Sequence, residues 1–85
     1  MDIREHAGER LREARLFRGW SQELLAKESG VHKDTISGIE RGEHTPRPVT
    51  LRKLAEALEL RVPDLLSGNY EAMTSAGKAP ASATR

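Results

Sequence analysis

Gly30 joins two short stretches of helical periodicity, and that junction constrains the fold more than any other feature of the chain. Before it, Ser21 offers its hydroxyl as the N-cap of a helix from Gln22 to about Ser29, with Leu25 and Ala26 facing inward. After it, Val31 resumes the apolar pattern. A further helix follows, roughly His32 to Glu40, with Ile36 and Ile39 on its buried stripe and Arg41-Gly42 closing it. Gly30 supplies the positive φ that a tight interhelical turn needs. Ala26 lets the two helices cross closely, and Val31 and Ile36 fill the angle between them.

The flanking segments are helical as well. Ile3, Ala7, Leu11 and Ala14 recur at intervals of four, four and three, which places them on one stripe of a first helix ending near Arg18-Gly19. One interior loop lies between Glu43 and Pro48. Pro48 suits the first position of a fourth helix, where its missing N–H costs nothing, and Leu51, Leu54, Ala55 and Leu58 form that helix's apolar face. Pro63 starts a short fifth helix that carries Leu65 and Leu66 and stops at Ser67-Gly68. No strand pattern appears. After Met73 no large apolar residue remains, so residues 1–68 are expected to form one all-α domain and residues 69–85 a flexible tail.

Length and composition narrow the function. Eighty-five residues leave room for one small domain. The absence of cysteine removes disulfides, thiolate metal sites and a thiol nucleophile. Apolar runs of two or three residues cannot span a membrane, and the N-terminus lacks the apolar stretch of a signal peptide, which predicts a cytoplasmic protein. Net charge is +1, but residues 4–20 hold five arginines against three glutamates, while residues 56–85 hold three basic side chains against four acidic ones. Where charges lie matters more than their sum. His6, His32 and His44 form no HExxH-type pair, and no phosphate-cradling glycine loop is present. His6 with Glu5 and Glu9 is read as a solvated face, and no pocket of useful size is expected in so small a bundle. The chain is therefore expected to be no enzyme and to carry no metal or cofactor.

Two short helices joined by a glycine-containing turn are the sequence form of a helix-turn-helix, here about residues 22–41, with the outer face of the second helix free to enter a major groove. At these residues the chain resembles the Cro/repressor-like, or xenobiotic-response-element-type, helix-turn-helix family. The resemblance is carried by Gly8-Glu9-Arg10-Leu11-Arg12, Arg15, Gly19-Trp20-Ser21-Gln22, Leu25-Ala26, Gly30-Val31, Thr35-Ile36-Ser37, Ile39-Glu40-Arg41-Gly42, Pro46, Leu51 through Leu58, and Leu65-Leu66. It runs from about residue 8 to 66. It implies a five-helix, lambda-repressor-like domain, bacterial or phage-encoded, that binds double-stranded DNA as a homodimer at a palindromic operator and regulates transcription, with repression the expected sign.

The resemblance also assigns roles. Gln22 matches a glutamine that contacts phosphate and braces a base-reading side chain, against the alternative of an ordinary capping amide. Lys33, Asp34, Ser37 and Gly38 fall at groove-facing positions, and Thr35 is counted with them among the DNA-binding residues. There Lys33 can reach guanine O6 and N7, and Asp34 can accept from a cytosine amino group. Asp34 equally suits the first turn of a helix, where a carboxylate favours the positive end of the macrodipole. Gly38 specifies nothing directly but permits close approach to base edges. His32 replaces the usual Ser or Thr cap and either touches phosphate or stays solvated. Thr45 and Arg47 lie in the loop where the family touches the sugar-phosphate backbone, with Arg41 and His44 as candidates to add to it, against the alternative that the loop is simply solvated. Arg15 and Glu40 match a buried ion pair with a structural role.

Several residues depart from the pattern or serve assembly. Glu59 stands where a glycine normally ends the fourth helix, so that junction is expected to be looser or capped differently. Leu16, Phe17 and Leu24 add apolar surface, which either shields Trp20 or forms a partner-binding patch. Leu60, Val62, Leu66 and Tyr70 are the candidates for a dimer interface, unless they complete the monomer's own core. Weak self-association strengthened by DNA is expected. The competing reading is a protein-interaction module or an antitoxin-type partner of a toxin, with a protein partner in place of a free-standing regulatory role.

Overall fold

The computed structural model describes residues 3–71 of the chain, with side-chain surroundings from His6 onward. Five helices follow in order: α1 Ile3–Phe17, α2 Gln22–Ser29, α3 Lys33–Glu40, α4 Pro48–Ala57 and α5 Val62–Ser67. No strand occurs among the described residues. Each boundary has a local cause. The Ser21 hydroxyl accepts from the Leu24 N–H at 3.0 Å and starts α2. Gly30, at φ 77°, ends it by turning its own N–H back onto the Ala26 carbonyl at 2.9 Å. Pro48 opens α4 as expected, whereas α5 begins one residue before Pro63, which sits inside its first turn.

The end of α4 is capped, not loose. Glu59 adopts φ 60°, the only non-glycine at positive φ among the described residues. Its N–H bonds the Glu56 carbonyl and the Leu60 N–H bonds the Ala55 carbonyl at 2.8 Å, the crossed pair of a Schellman cap. That cap folds Leu60 back onto the bundle. Leu60 is 6% exposed and belongs to the core with Leu11, Ala14, Leu25, Val31, Ile36, Ile39, Leu54, Ala55, Leu58 and Leu65. Its assignment to a dimer interface is thereby corrected: a side chain already buried has no surface left to offer a second copy.

Helix α1 packs on α3 and α5, α2 on α3 and α4, and α4 on α5. Burying each large aliphatic side chain in this arrangement contributes about 1.5–3 kcal/mol. The α1–α3 crossing depends on Gly8, because a Cβ there would overlap the backbone carbonyl of Ile39. At the far side, α1 is clasped to the chain's last described turn. His6 Nε2 donates to the Leu66 carbonyl at 2.8 Å, so His6 is half-buried and not part of a solvated face. The Tyr70 hydroxyl donates to Glu13 at 2.7 Å and lies 3.1 Å from the Arg10 carbonyl oxygen, while its ring stands 5.9 Å from that of Phe17. Tyr70 thus completes the monomer, and the fold runs past the expected boundary at residue 68. The remainder of the expected tail, residues 72–85, lies outside the described residues.

Trp20 is covered by the Arg18 guanidinium, 4.5 Å from its ring centroid, and Arg18 also pairs with Glu59 at 3.1 Å. Leu16 and Phe17 remain about half exposed.

Candidate nucleic-acid interface

The orientation of α3 is set by one carboxylate. Glu40, at its last turn, receives Arg15 Nε at 2.8 Å, Arg15 Nη2 at 2.9 Å and Gln22 Nε2 at 3.1 Å. Arg15 also donates to the Trp20 carbonyl at 2.8 Å, which ties α1, the α1–α2 turn, α2 and α3 to one point. Both members of the pair are buried, and the guanidinium pKa is raised above its ordinary value by the Glu40 hydrogen bonds. The expected Arg15–Glu40 pair is present. Gln22 joins it, so its amide braces the end of α3.

The opposite face of α3 is open. Its eight residues extend roughly 12 Å, a length that fits within a major groove. His32 caps its start with a ring nitrogen: Nδ1 accepts from the Asp34 N–H at 3.1 Å while the side chain stays exposed. Asp34 is exposed in the first turn, 3.9 Å from that same nitrogen. Lys33 crosses to α2, where its ammonium lies 3.2 Å from Glu23. A hydrogen bond from Glu23's own backbone and the bond from Lys33 lower the Glu23 pKa. Ser37 and Arg41 are joined, with Arg41 donating to the Ser37 hydroxyl. Arg41 also grips Glu43 through Nε at 2.9 Å and Nη2 at 3.0 Å, which raises the arginine pKa and holds the Glu43 carboxyl below the usual range.

Gly38 does not present bare backbone to the outside. It is buried, and a Cβ there would collide with the ring of His44, whose Nε2 would stand at 2.6 Å. The glycine is a seat for His44, and this seat draws the loop after α3 against the helix. Backbone bonds from Gly42 to Ile39 at 3.0 Å and from Glu43 to Gly38 at 2.9 Å shape the same loop. Between α3 and this loop lies an open cleft of about 630 Å³ that brings together Thr35, Glu43, His44, Thr45, Arg47 and Thr50. A cleft of this size was not expected from the sequence.

Arg47 stands at the mouth of α4. It is the N-cap residue, makes no side-chain cap bond and forms no ion pair among the described residues. A cation at a helix N-terminus opposes the macrodipole, so folding alone gives no reason for it. Arg61 holds the same place on α5, but Asp64 neutralises it at 2.9 Å. An exposed, unpaired guanidinium beside the free N–H groups of a helix start is suited to a phosphate.

Sequence reasoning missed Glu23, Glu43 and Thr50 as parts of this surface. Glu43 had a signal: Arg41-Gly42-Glu43 spans a glycine at φ 77°, which lets the two flanking side chains meet. No group of three or more potential metal-binding side chains occurs among the described residues, and none of their helices is long and apolar enough to cross a membrane.

The fold and this surface define a DNA-binding helix-turn-helix protein. A family profile described as helix-turn-helix matches residues 11–65, and the chain belongs to that family, of the Cro/repressor-like type. Members are DNA-binding regulators of transcription and not enzymes, and this chain is one of them. It is 43% identical over 67 residues to the control protein C.SmaI of Serratia marcescens, covering 79% of this chain and 80% of that one. Among solved structures it resembles the restriction-modification controller protein C.AhdI of Aeromonas hydrophila. That match has a TM-score of 0.70 and 40% identity, over 73% of this chain and 94% of the other. The clp gene regulator ClgR of Corynebacterium glutamicum superposes with a TM-score of 0.76 at 27% identity, over 99% of this chain and 89% of that one.

Proposed function

We propose that the protein acts as a homodimer at a palindromic operator in the bacterial cytoplasm and represses the genes it controls. The observation that carries this reading is the pairing of an outward-facing α3 with the unneutralised Arg47 across the cleft. One element addresses base edges while the other addresses phosphate, the division of labour that sequence-specific duplex binding requires. Lys33, Asp34 and Ser37 read the groove. Thr35, Thr45 and Arg47 line the phosphate cleft, with Arg41 beside it, and His32 fixes the start of α3. Gln22 acts through Glu40, to which its amide nitrogen donates.

Dimerisation uses the outer face of α5, where Val62 and Leu66 are only half-buried. Two copies so joined place their recognition helices about 34 Å apart, one turn of duplex. Similarity to C.SmaI and C.AhdI over most of each chain supports a controller role, so the controlled genes are those of a restriction-modification system. Repression then follows from occupying promoter DNA.

Selection from a randomised duplex library at about physiological salt tests the reading. Enrichment of a palindrome with half-site centres about ten base pairs apart, bound by two chains, is the expected result. No enrichment by folded, helical protein would move the function to a protein-interaction module. One chain per palindrome at saturation would remove the dimer.

A further inference from the structure

We infer that Glu43 and Glu23 are specificity-determining residues, each holding a cation at one end of α3, Arg41 at its C-cap and Lys33 at its first residue, in an ion pair that a phosphate or a base must displace before contact is made. The inference rests on the DNA-binding reading given above. It starts from an asymmetry among the cations of this surface. Arg47 forms no ion pair among the described residues, whereas Arg41 is bound twice by Glu43 and Lys33 is bound by Glu23. These pairs are not structural supports. Both partners are exposed in each, and exposed pairs of this kind add little to stability. Both glutamates are exposed at the surface, and Glu43 follows a glycine turn that places its two oxygens against the guanidinium fork.

Their position gives them another effect. A guanidinium held bidentately by a carboxylate offers a phosphate no free fork, and the carboxylate itself repels the strand. On arbitrary DNA the protein samples many weak registers, and the pair stays closed. On its operator, base contacts by α3 hold one phosphate opposite Arg41 for long enough to replace Glu43. Ser37 assists, because its hydroxyl anchors the same guanidinium to the reading helix and keeps it aimed when the carboxylate leaves. The pairs therefore suppress non-specific binding more than operator binding. The same logic applies to Lys33, whose ammonium must leave Glu23 to reach a guanine edge.

The test measures affinity of the full chain for two fluorescein-labelled duplexes, the selected operator and a scrambled sequence, across a salt series. Glu43→Gln is expected to tighten binding to the scrambled duplex roughly tenfold at low salt and to steepen the salt slope by about 0.9, the signature of one more phosphate contact. Operator affinity is expected to rise less, so the ratio between the two falls. Glu23→Gln should lower that ratio in the same direction. The decisive arm repeats Glu43→Gln in an Arg41→Gln background, where the gain should vanish because no guanidinium remains to be released. An equal gain in both backgrounds would reduce Glu43 to a general repulsive charge and overturn the inference, as would no gain in either. If folded wild-type protein binds neither duplex even at low salt, the DNA-binding reading itself fails. If wild type discriminates and only the Arg41 coupling is missing, that reading stands and this inference alone falls.

Discussion

Arg15 and Glu40 are joined across α1 and α3 by two charge-assisted hydrogen bonds of 2.8 and 2.9 Å, inside a surface that admits almost no water. Desolvating two charges offsets much of their attraction, so the pair orients α3 more than it stabilises it. Removing one partner is different, because it strands a buried charge. Glu40→Ala should cost about 3–5 kcal/mol, whereas Arg15→Met with Glu40→Leu should cost clearly less. Urea unfolding followed through Trp20, the only tryptophan, measures both. A double variant as unstable as the single one would show that the pair itself is a net source of stability.

Glu59 occupies a conformation that suits glycine. Glu59→Gly relieves left-handed strain and forfeits only an exposed pair with Arg18, for a net gain of about 1 kcal/mol. Thermal unfolding checks the sign.

Two buried glycines separate by what lies over them. At Gly8 a methyl meets backbone, which cannot rotate away, so Gly8→Ala should cost at least about 1–3 kcal/mol and shift α3 relative to α1. At Gly38 the obstacle is the His44 ring, which can swing out. Gly38→Ala should therefore keep most of the stability while loosening the loop and weakening DNA binding. Denaturation and duplex titration of both variants compare the two outcomes directly.

Tyr70 is the only tyrosine, and its phenol is pushed up from its ordinary 10 to about 12, chiefly by burial and next by the hydrogen bond to Glu13. A raised folded-state value favours the protonated phenol, so its contribution to stability is full below pH 10 and is lost as pH climbs towards about 12. Phenolate absorbance of native protein should show a late midpoint. A titration at the ordinary value would mean that the Tyr70 clasp is open in solution.

Lys33 and Arg47 should fail differently. Lys33→Ala is expected to relax preference at one base pair at a cost of about 1–3 kcal/mol, while Arg47→Ala weakens all sequences alike and lowers the salt slope by about 0.9. Affinities across a panel of operator variants distinguish the two patterns.

The helices were legible because their boundaries rest on single residues with strong local preferences, such as Ser21, Gly30 and Pro48. Leu60 was misread for a related reason. It stands just outside a helix, so periodicity places it nowhere, and only the left-handed turn at Glu59 returns it to the core. The candidate surface was legible as a set of cations and polar side chains along α3 and its loop. Their internal partners were not, because Lys33–Glu23 bridges two helices and His44 over Gly38 depends on how a loop folds back. Such contacts are products of tertiary geometry and leave no spacing in the chain.

The clasp that α1 makes with α5 and the turn after it links residues sixty apart, His6 to Leu66 and Arg10 to Tyr70. During synthesis α1 leaves the ribosome before the residues that clasp it. Until Tyr70 has cleared the exit tunnel, one flank of α1 has no partner, although its α3-facing side can already dock. The candidate surface along α3 can therefore be assembled on a nascent chain before α1 is held on both flanks.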